Sequence, residues 1–183
     1  MDTILIVPGL HNSAARHWQS WFEARLPNCI RVEQRDWESP DLPLWGQAVQ
    51  AAAERAPGRV WIVAHSFGCL AAAFAASQTE ADVAGALLVA PADPAKFGVS
   101  TALPRTDLPF GTILVGSEND PWMSLERAQS WARLWGATFV NAGAAGHINV
   151  TSGHGPWPDG LRLLRCLQRA DCQPLDAALE RRV

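Results

Sequence analysis

The chain has 183 residues, 48% of them hydrophobic, and a formal net charge of −3. That length suits one domain with a sizeable core, so residues 1–183 are read as a single unit. Its fifteen Lys and Arg residues are scattered and include one lysine, Lys96, which leaves no basic cluster for nucleic acid or an anionic membrane.

A first strand is predicted over Ile4–Val7, running into Pro8-Gly9-Leu10-His11-Asn12-Ser13. A helix follows, with Trp18, Trp21, Phe22 and Leu26 at helical spacing. The second strand, Ile30–Gln34, precedes a helix whose core stripe is read as Leu44, Ala48, Val49 and Ala52. A third strand, Val60–Ala64, passes directly into His65-Ser66-Phe67-Gly68 and the alanine-rich helical run Cys69–Ala76. The fourth, Ala86–Ala90, opens onto Pro91–Phe110, a segment with four prolines and no clear period; its length marks it as a pocket wall beside the serine. A fifth strand, Thr112–Gly116, leads through Ser117-Glu118-Asn119-Asp120-Pro121 to a helical pattern from Met123 to Trp135. The sixth, Thr138–Asn141, ends in the small-residue loop Ala142–Asn149 that contains His147. Strands alternating with helices predict the α/β class: a mostly parallel six-stranded sheet, sandwiched in three α/β/α layers.

The turn at Ser66 carries the chemistry. A serine at the apex of a sharp strand-to-helix turn has its hydroxyl held out above the sheet edge in a strained conformation. Residues two before and two after must be small, and Ala64 and Gly68 are. The turn also leaves the Phe67 N–H at a helix start, where partial positive charge is available to an anion. The competing role for such a serine is a helix N-cap. A nucleophile on this kind of sheet takes its acid and then its histidine from later strand ends. Asp120 and His147 stand in that order, Asp120 to orient the imidazole and His147 to act as base. Asp120-Pro121 also reads as a helix start, and Glu118 is a rival acid. His11, His17, His65 and His154 lack the combination of chain order and strand-end position. The loop after the first strand is expected to supply a second oxyanion donor, the N–H of Leu10 or of His11, beside that of Phe67.

With these residues in view, the chain resembles the α/β-hydrolase superfamily, and within it the small lid-less serine hydrolases of the retinoblastoma-binding protein nine and YdeN type. The resemblance spans Ile4 to Leu167. It rests on Pro8-Gly9 with Trp18 and Trp21, the elbow at Ser66, the segment Ser117–Pro121, Gly146-His147-Ile148-Asn149, and the stretch Ser152–Gly160. It implies a triad of Ser66, Asp120 and His147, and a compact fold without a lid domain. Two departures are Ala64 in place of the usual elbow glycine, and a spacing of four rather than three residues from Gly116 to Asp120.

Trp37, Trp122 and Trp157, with His11, are expected to line an apolar substrate pocket. Cys29, Cys69, Cys166 and Cys172 show no metal spacing and are read as reduced structural residues. No metal, nucleotide or organic cofactor is called for. Met1-Asp2 runs straight into a strand without a basic, apolar leader, which predicts a cytoplasmic protein. The expected substrate is a small acyl compound; no membrane, nucleic acid or protein partner is indicated. A hydrolase-fold binding module with marginal turnover is the alternative reading, since fold does not dictate function.

Overall fold

The computed structural model describes residues 2–169. Six strands, β1 (Thr3–Val7), β2 (Cys29–Arg31), β3 (Val60–His65), β4 (Val83–Val89), β5 (Gly111–Gly116) and β6 (Thr138–Asn141), form one sheet in the order β2-β1-β3-β4-β5-β6. Every pairing is parallel, so the expected "mostly parallel" sheet is parallel throughout.

Strand residues alternate between faces, and the two cores follow from that alternation. Ile4, Ile6, Trp61, Val63, Leu87, Val89, Ile113 and Val115 pack against Trp18 and Phe22 of α1 (Trp18–Glu23) and Leu163 and Leu164 of α5 (Pro158–Arg169). Leu5, Val7, Val60, Ile62, Leu88 and Leu114 face the other way. That second face is covered by α2 (Leu42–Arg55), α3 (Phe67–Ala76) and α4 (Leu125–Leu134). The result is the three-layer arrangement expected of a sheet with apolar residues on both sides.

Several boundaries differ from the sequence reading. β2 stops at Arg31, after which the Val32 N–H makes a last bond to the Ile6 carbonyl. As an edge strand it has a partner on one side only, so pairing ends where β1 ends. α2 starts at Leu42, capped by the Asp41 carboxylate on the Leu44 N–H. Its buried stripe is Leu42, Trp45, Val49 and Ala53; Leu44 is 52% exposed. The large Trp45 ring, packed edge-on against Phe67, sets the rotation of the helix that Leu44 and Ala48 would have set otherwise. α4 begins at Leu125, with Ser124 rather than Asp120 as its N-cap.

The segment Pro91–Phe110 is tied down along its length. A short 3₁₀ turn over Pro94–Phe97 is capped by Asp93, whose carboxylate also pairs with Arg127 of α4 at 2.6 Å. Leu103 and Leu108 are buried, and the Trp135 indole donates to the Pro104 carbonyl at 3.0 Å.

The chain direction reverses about the sheet between β1 and β3: β2 lies outside β1, whereas β4, β5 and β6 extend beyond β3. Parallel sheets bind ligands in the crevice outside the strand ends at such a point. Ser66 follows β3 there.

Candidate active site

Close approach of backbone to backbone builds the turn at Ser66. A Cβ on Gly68 would collide with the carbonyl oxygens of Val7 and Pro8, so α3 can start this near β1 only because residue 68 has no side chain. A Cβ on Gly9 would lie 2.7 Å from the Ser66 Cβ and 3.3 Å from its Oγ. Ala64 is fully buried, and its methyl is accommodated where the superfamily usually has glycine. Ser66 itself adopts φ 54° and ψ −125°, a conformation that costs a non-glycine residue on the order of 1–3 kcal/mol and persists only where its surroundings enforce it. Ser66 occupies the N-cap position of α3, yet its hydroxyl makes no capping bond.

That hydroxyl donates instead to Nε2 of His147 at 2.8 Å. On the other side of the ring, the Nδ1–H of His147 donates to the Asp120 carboxylate, 2.9 Å from Oδ1 and 3.0 Å from Oδ2. The His147 and Asp120 side chains are 8% and 3% exposed, so the pair is shielded from competing water. Glu118 is exposed, and its Oε1 accepts from the Asn141 side chain at 2.9 Å rather than from His147.

Side-chain bonds stitch the acid loop and the histidine loop together. Asn119 Oδ1 accepts from the Gly146 N–H at 2.6 Å. The Ser117 hydroxyl accepts from the Ala145 N–H at 3.0 Å and lies 3.1 Å from the Gly143 carbonyl. The Glu118 N–H donates to that same carbonyl at 2.9 Å. Asp120 Oδ1 also accepts from the Trp122 N–H at 2.8 Å, which holds the carboxylate in one orientation.

Around Ser66 lies a cleft of about 280 Å³, lined by Leu10, His11, Phe97, Trp122, His147 and Val150 among others. Trp122 is 44% exposed and stacks on Phe97 at an interplanar angle of 18°, its ring centroid 6.1 Å from that of His147. Lys96 bridges the rim, donating to the Pro121 carbonyl at 2.7 Å with its ammonium 5.3 Å from the Trp122 ring. His11 sits at the opposite rim, with Nδ1 2.9 Å from Glu38.

Two expected pocket residues are elsewhere. Trp37 is half-buried against Trp45, outside the cleft lining, and only its carbonyl serves the site, accepting the His11 N–H at 3.0 Å. Trp157 is buried beneath α1 against Trp18, at 5.1 Å between ring centroids, because the apolar face of α1 needs a large partner there. The His11 N–H is therefore engaged, whereas Leu10 and His11 both border the cleft.

Sequence reasoning missed Phe97, Gln19, His17 and His65. Phe97 lies in the proline-rich segment read as a pocket wall, but nothing local singled it out. Gln19 is fully buried, and its amide donates to the Val7 carbonyl at 3.1 Å and the Val63 carbonyl at 3.0 Å, joining the ends of β1 and β3. His17 caps α1, its Nδ1 accepting from the Gln19 N–H. Burial pushes its pKa down to about 4, helped by the charge of nearby Arg31. His65 is held well below the usual histidine range by burial and then by His17. Both imidazoles are thus neutral at pH 7.

A sequence model of the family described as Serine hydrolase matches residues 4–166. The chain belongs to that serine hydrolase family. No curated protein sequence matches it. Among solved structures, a protein described as a YdeN-like hydrolase from Pectobacterium atrosepticum is 39% identical, with 92% of each chain covered and a TM-score of 0.87. The ydeN gene product of B. subtilis shares the fold at 17% identity, covering 92% of this chain and 100% of its own, with a TM-score of 0.77. The Est1E protein of Butyrivibrio proteoclasticus does so at 12% identity and a TM-score of 0.68, over 93% of this chain and 88% of its own. This serine hydrolase is therefore an enzyme of compact α/β-hydrolase fold. Cys29, Cys69 and Cys166 carry free thiols, and Cys172 lies outside the described residues. No helix among the described residues is long and apolar enough to cross a membrane.

Proposed function

We propose that this serine hydrolase cleaves a small ester, thioester or activated amide through an acyl-enzyme on Ser66, with His147 as general base and acid and Asp120 as the orienting carboxylate. The observation that carries the reading is the unbroken chain from Ser66 Oγ to His147 Nε2, and from His147 Nδ1 to Asp120. His147 takes the Ser66 proton as Oγ bonds to the acyl carbon, and the carbonyl oxygen becomes an oxyanion. The N–H groups of Leu10 and Phe67 stabilise that charge; one such donor contributes about 3 kcal/mol to lowering a barrier of this kind. The bond to the leaving group then breaks, and the proton on His147 Nε2 passes to the departing atom. Water enters, gives a proton to His147 and attacks the acyl carbon, and the ester bond to Ser66 breaks with return of that proton to Oγ.

A cleft of about 280 Å³ favours short acyl groups. Initial rates on p-nitrophenyl esters should be highest from acetate to butyrate, and an optimum at twelve carbons would contradict the assignment. A fluorophosphonate probe should label the wild-type protein and not Ser66→Ala. Folded wild-type protein that resists the probe would instead support a binding module of low turnover.

A further inference from the structure

The loop that carries His147 is held from below by two ring donors that belong to neither the acid loop nor the elbow hydroxyl. His65 Nε2 lies 2.9 Å from the His147 carbonyl oxygen. A carbonyl only accepts, so His65 Nε2 carries the proton and donates. One residue on, the Trp18 indole N–H donates to the Ile148 carbonyl at 2.8 Å. Trp18 and Ile148 are 0% exposed, and His65 and His147, which border the cleft, are 5% and 8% exposed, so both bonds lie in largely buried surroundings.

The backbone between these two carbonyls is unusual. Ile148 has φ 46°, a region a β-branched residue almost never enters without enforcement. Two successive peptide oxygens pinned by buried donors supply that enforcement. The donors are themselves packed together: the His65 ring lies edge-on to Trp18 at 6.0 Å between centroids and tilted beside the His147 ring at 4.9 Å. Trp18 is wedged between Phe22 and Trp157, so its indole N–H has little freedom to leave the Ile148 carbonyl. His65 is rigid for another reason, being the last residue of β3 and the residue before the nucleophile.

We propose that His65 and Trp18 are positioning residues that fix the backbone of His147 and Ile148, and through it the distance between His147 Nε2 and Ser66 Oγ. This rests on the reading of His147 as the base. The elbow then presents two things at once, the nucleophile from Ser66 and the peg for its base from His65. A shift of Ser66 along the sheet edge would carry the base with it. Misplacement of a catalytic group by about 1 Å costs roughly 10²-fold in rate, which sets the scale of effect expected here.

The test is steady-state kinetics on p-nitrophenyl acetate with paired variants. His65→Phe keeps a ring and removes the donor; His65→Gln places an amide N–H the same three bonds beyond Cβ. Trp18→Phe likewise removes an N–H and keeps a ring. His65→Phe should lower kcat about 30- to 100-fold with KM changed less than about threefold, and His65→Gln should recover to within about threefold of wild type. Trp18→Phe should lower kcat by a smaller factor. Combined with His65→Phe it should cost less than the product of the two, because both act on one loop. Equal loss in His65→Phe and His65→Gln, with unchanged circular dichroism, would mean the ring's shape matters and its N–H does not, overturning the proposal. Wild-type kcat in His65→Phe would overturn it also. His147→Ala separates the two levels: an inactive His147→Ala beside a normal His65→Phe defeats the clamp alone, whereas a fully active His147→Ala defeats the triad assignment beneath it.

Discussion

At Ser66 the chain is held by contact. Gly68 sits against the carbonyls of Val7 and Pro8, Gly9 against Ser66 itself, and the serine is left in a conformation it would not choose. At Asp120 and His147 the chain is held by hydrogen bonds, from Asn119, Ser117 and the Glu118 N–H across to the loop that follows β6. The elbow is short and lies between two central strands, where atoms are dense enough for steric exclusion to define one geometry. The two outer loops follow β5 and β6 at the far side of the sheet, and polar bonds join them. Contact fails abruptly when an atom is added; a stitched loop fails by degrees when one bond is lost.

Asp120→Asn should produce the largest effect that leaves the fold intact, a fall in kcat of about 10⁴ from the wrong histidine tautomer. Circular dichroism should be unchanged, and Glu118→Gln serves as the control. On the contact side, Gly68→Ala should destabilise the protein by about 3 kcal/mol or more in urea unfolding, because backbone and not a flexible side chain stands in the way. Survival of Gly68→Ala at wild-type stability would show that the elbow is not sterically locked. On the stitched side, Asn119→Ala frees the Gly146 N–H and should lower kcat about tenfold with little change in melting temperature.

A fourth outcome concerns the buried imidazole beside the elbow. Unfolded chain takes up a proton at His17 near pH 6.5, whereas the folded protein resists it until about pH 4. The stability due to keeping His17 neutral is therefore complete above pH 6.5 and lost as pH falls from 6.5 toward 4; His65, shifted the same way, steepens the loss. His17→Asn keeps a capping oxygen without a titrating group, and its melting temperature should fall less steeply over that range. The smallest effect belongs to Glu118→Gln, less than tenfold in kcat, since an exposed carboxylate adds only a screened field. A crippled Glu118→Gln beside a normal Asp120→Asn would reverse the assignment of the acid.

Strand, turn and helix at Ser66 were legible because their signals are local: an apolar run, small residues at the pinch points, an alanine-rich helix. The order of serine, acid and histidine along the strand ends was legible for the same reason. Between Glu118 and Asp120 no local rule could choose. The choice depends on His147, 27 residues beyond Asp120, and on Asn141 drawing Glu118 away. In the α2 stripe Leu44, Ala48, Val49 and Ala52, Val49 is buried and Ala48 and Ala52 pack on the core, but Leu44 is exposed; Leu42 and Trp45 fit the same spacing, and Trp45 packs on the Phe67 ring instead. The expectation for Trp37 and Trp157 rests on their place in loops after strands, which says where a loop runs and not which way its side chain turns.

By itself the sequence determined what period and turn chemistry determine: six strands alternating with helices, a parallel sheet with two covered faces, and a nucleophile elbow with candidate partners in the right order. Tertiary structure decided which of two carboxylates meets His147, which aromatic rings wall the cleft, and that His65 and Trp18 bond to the carbonyls of His147 and Ile148. Those decisions turn on contacts between residues distant in the chain, such as Trp18 and Ile148, 130 positions apart. Local propensity carries no information about such pairs, because their bonds exist only once the sheet has brought its strand ends to one edge.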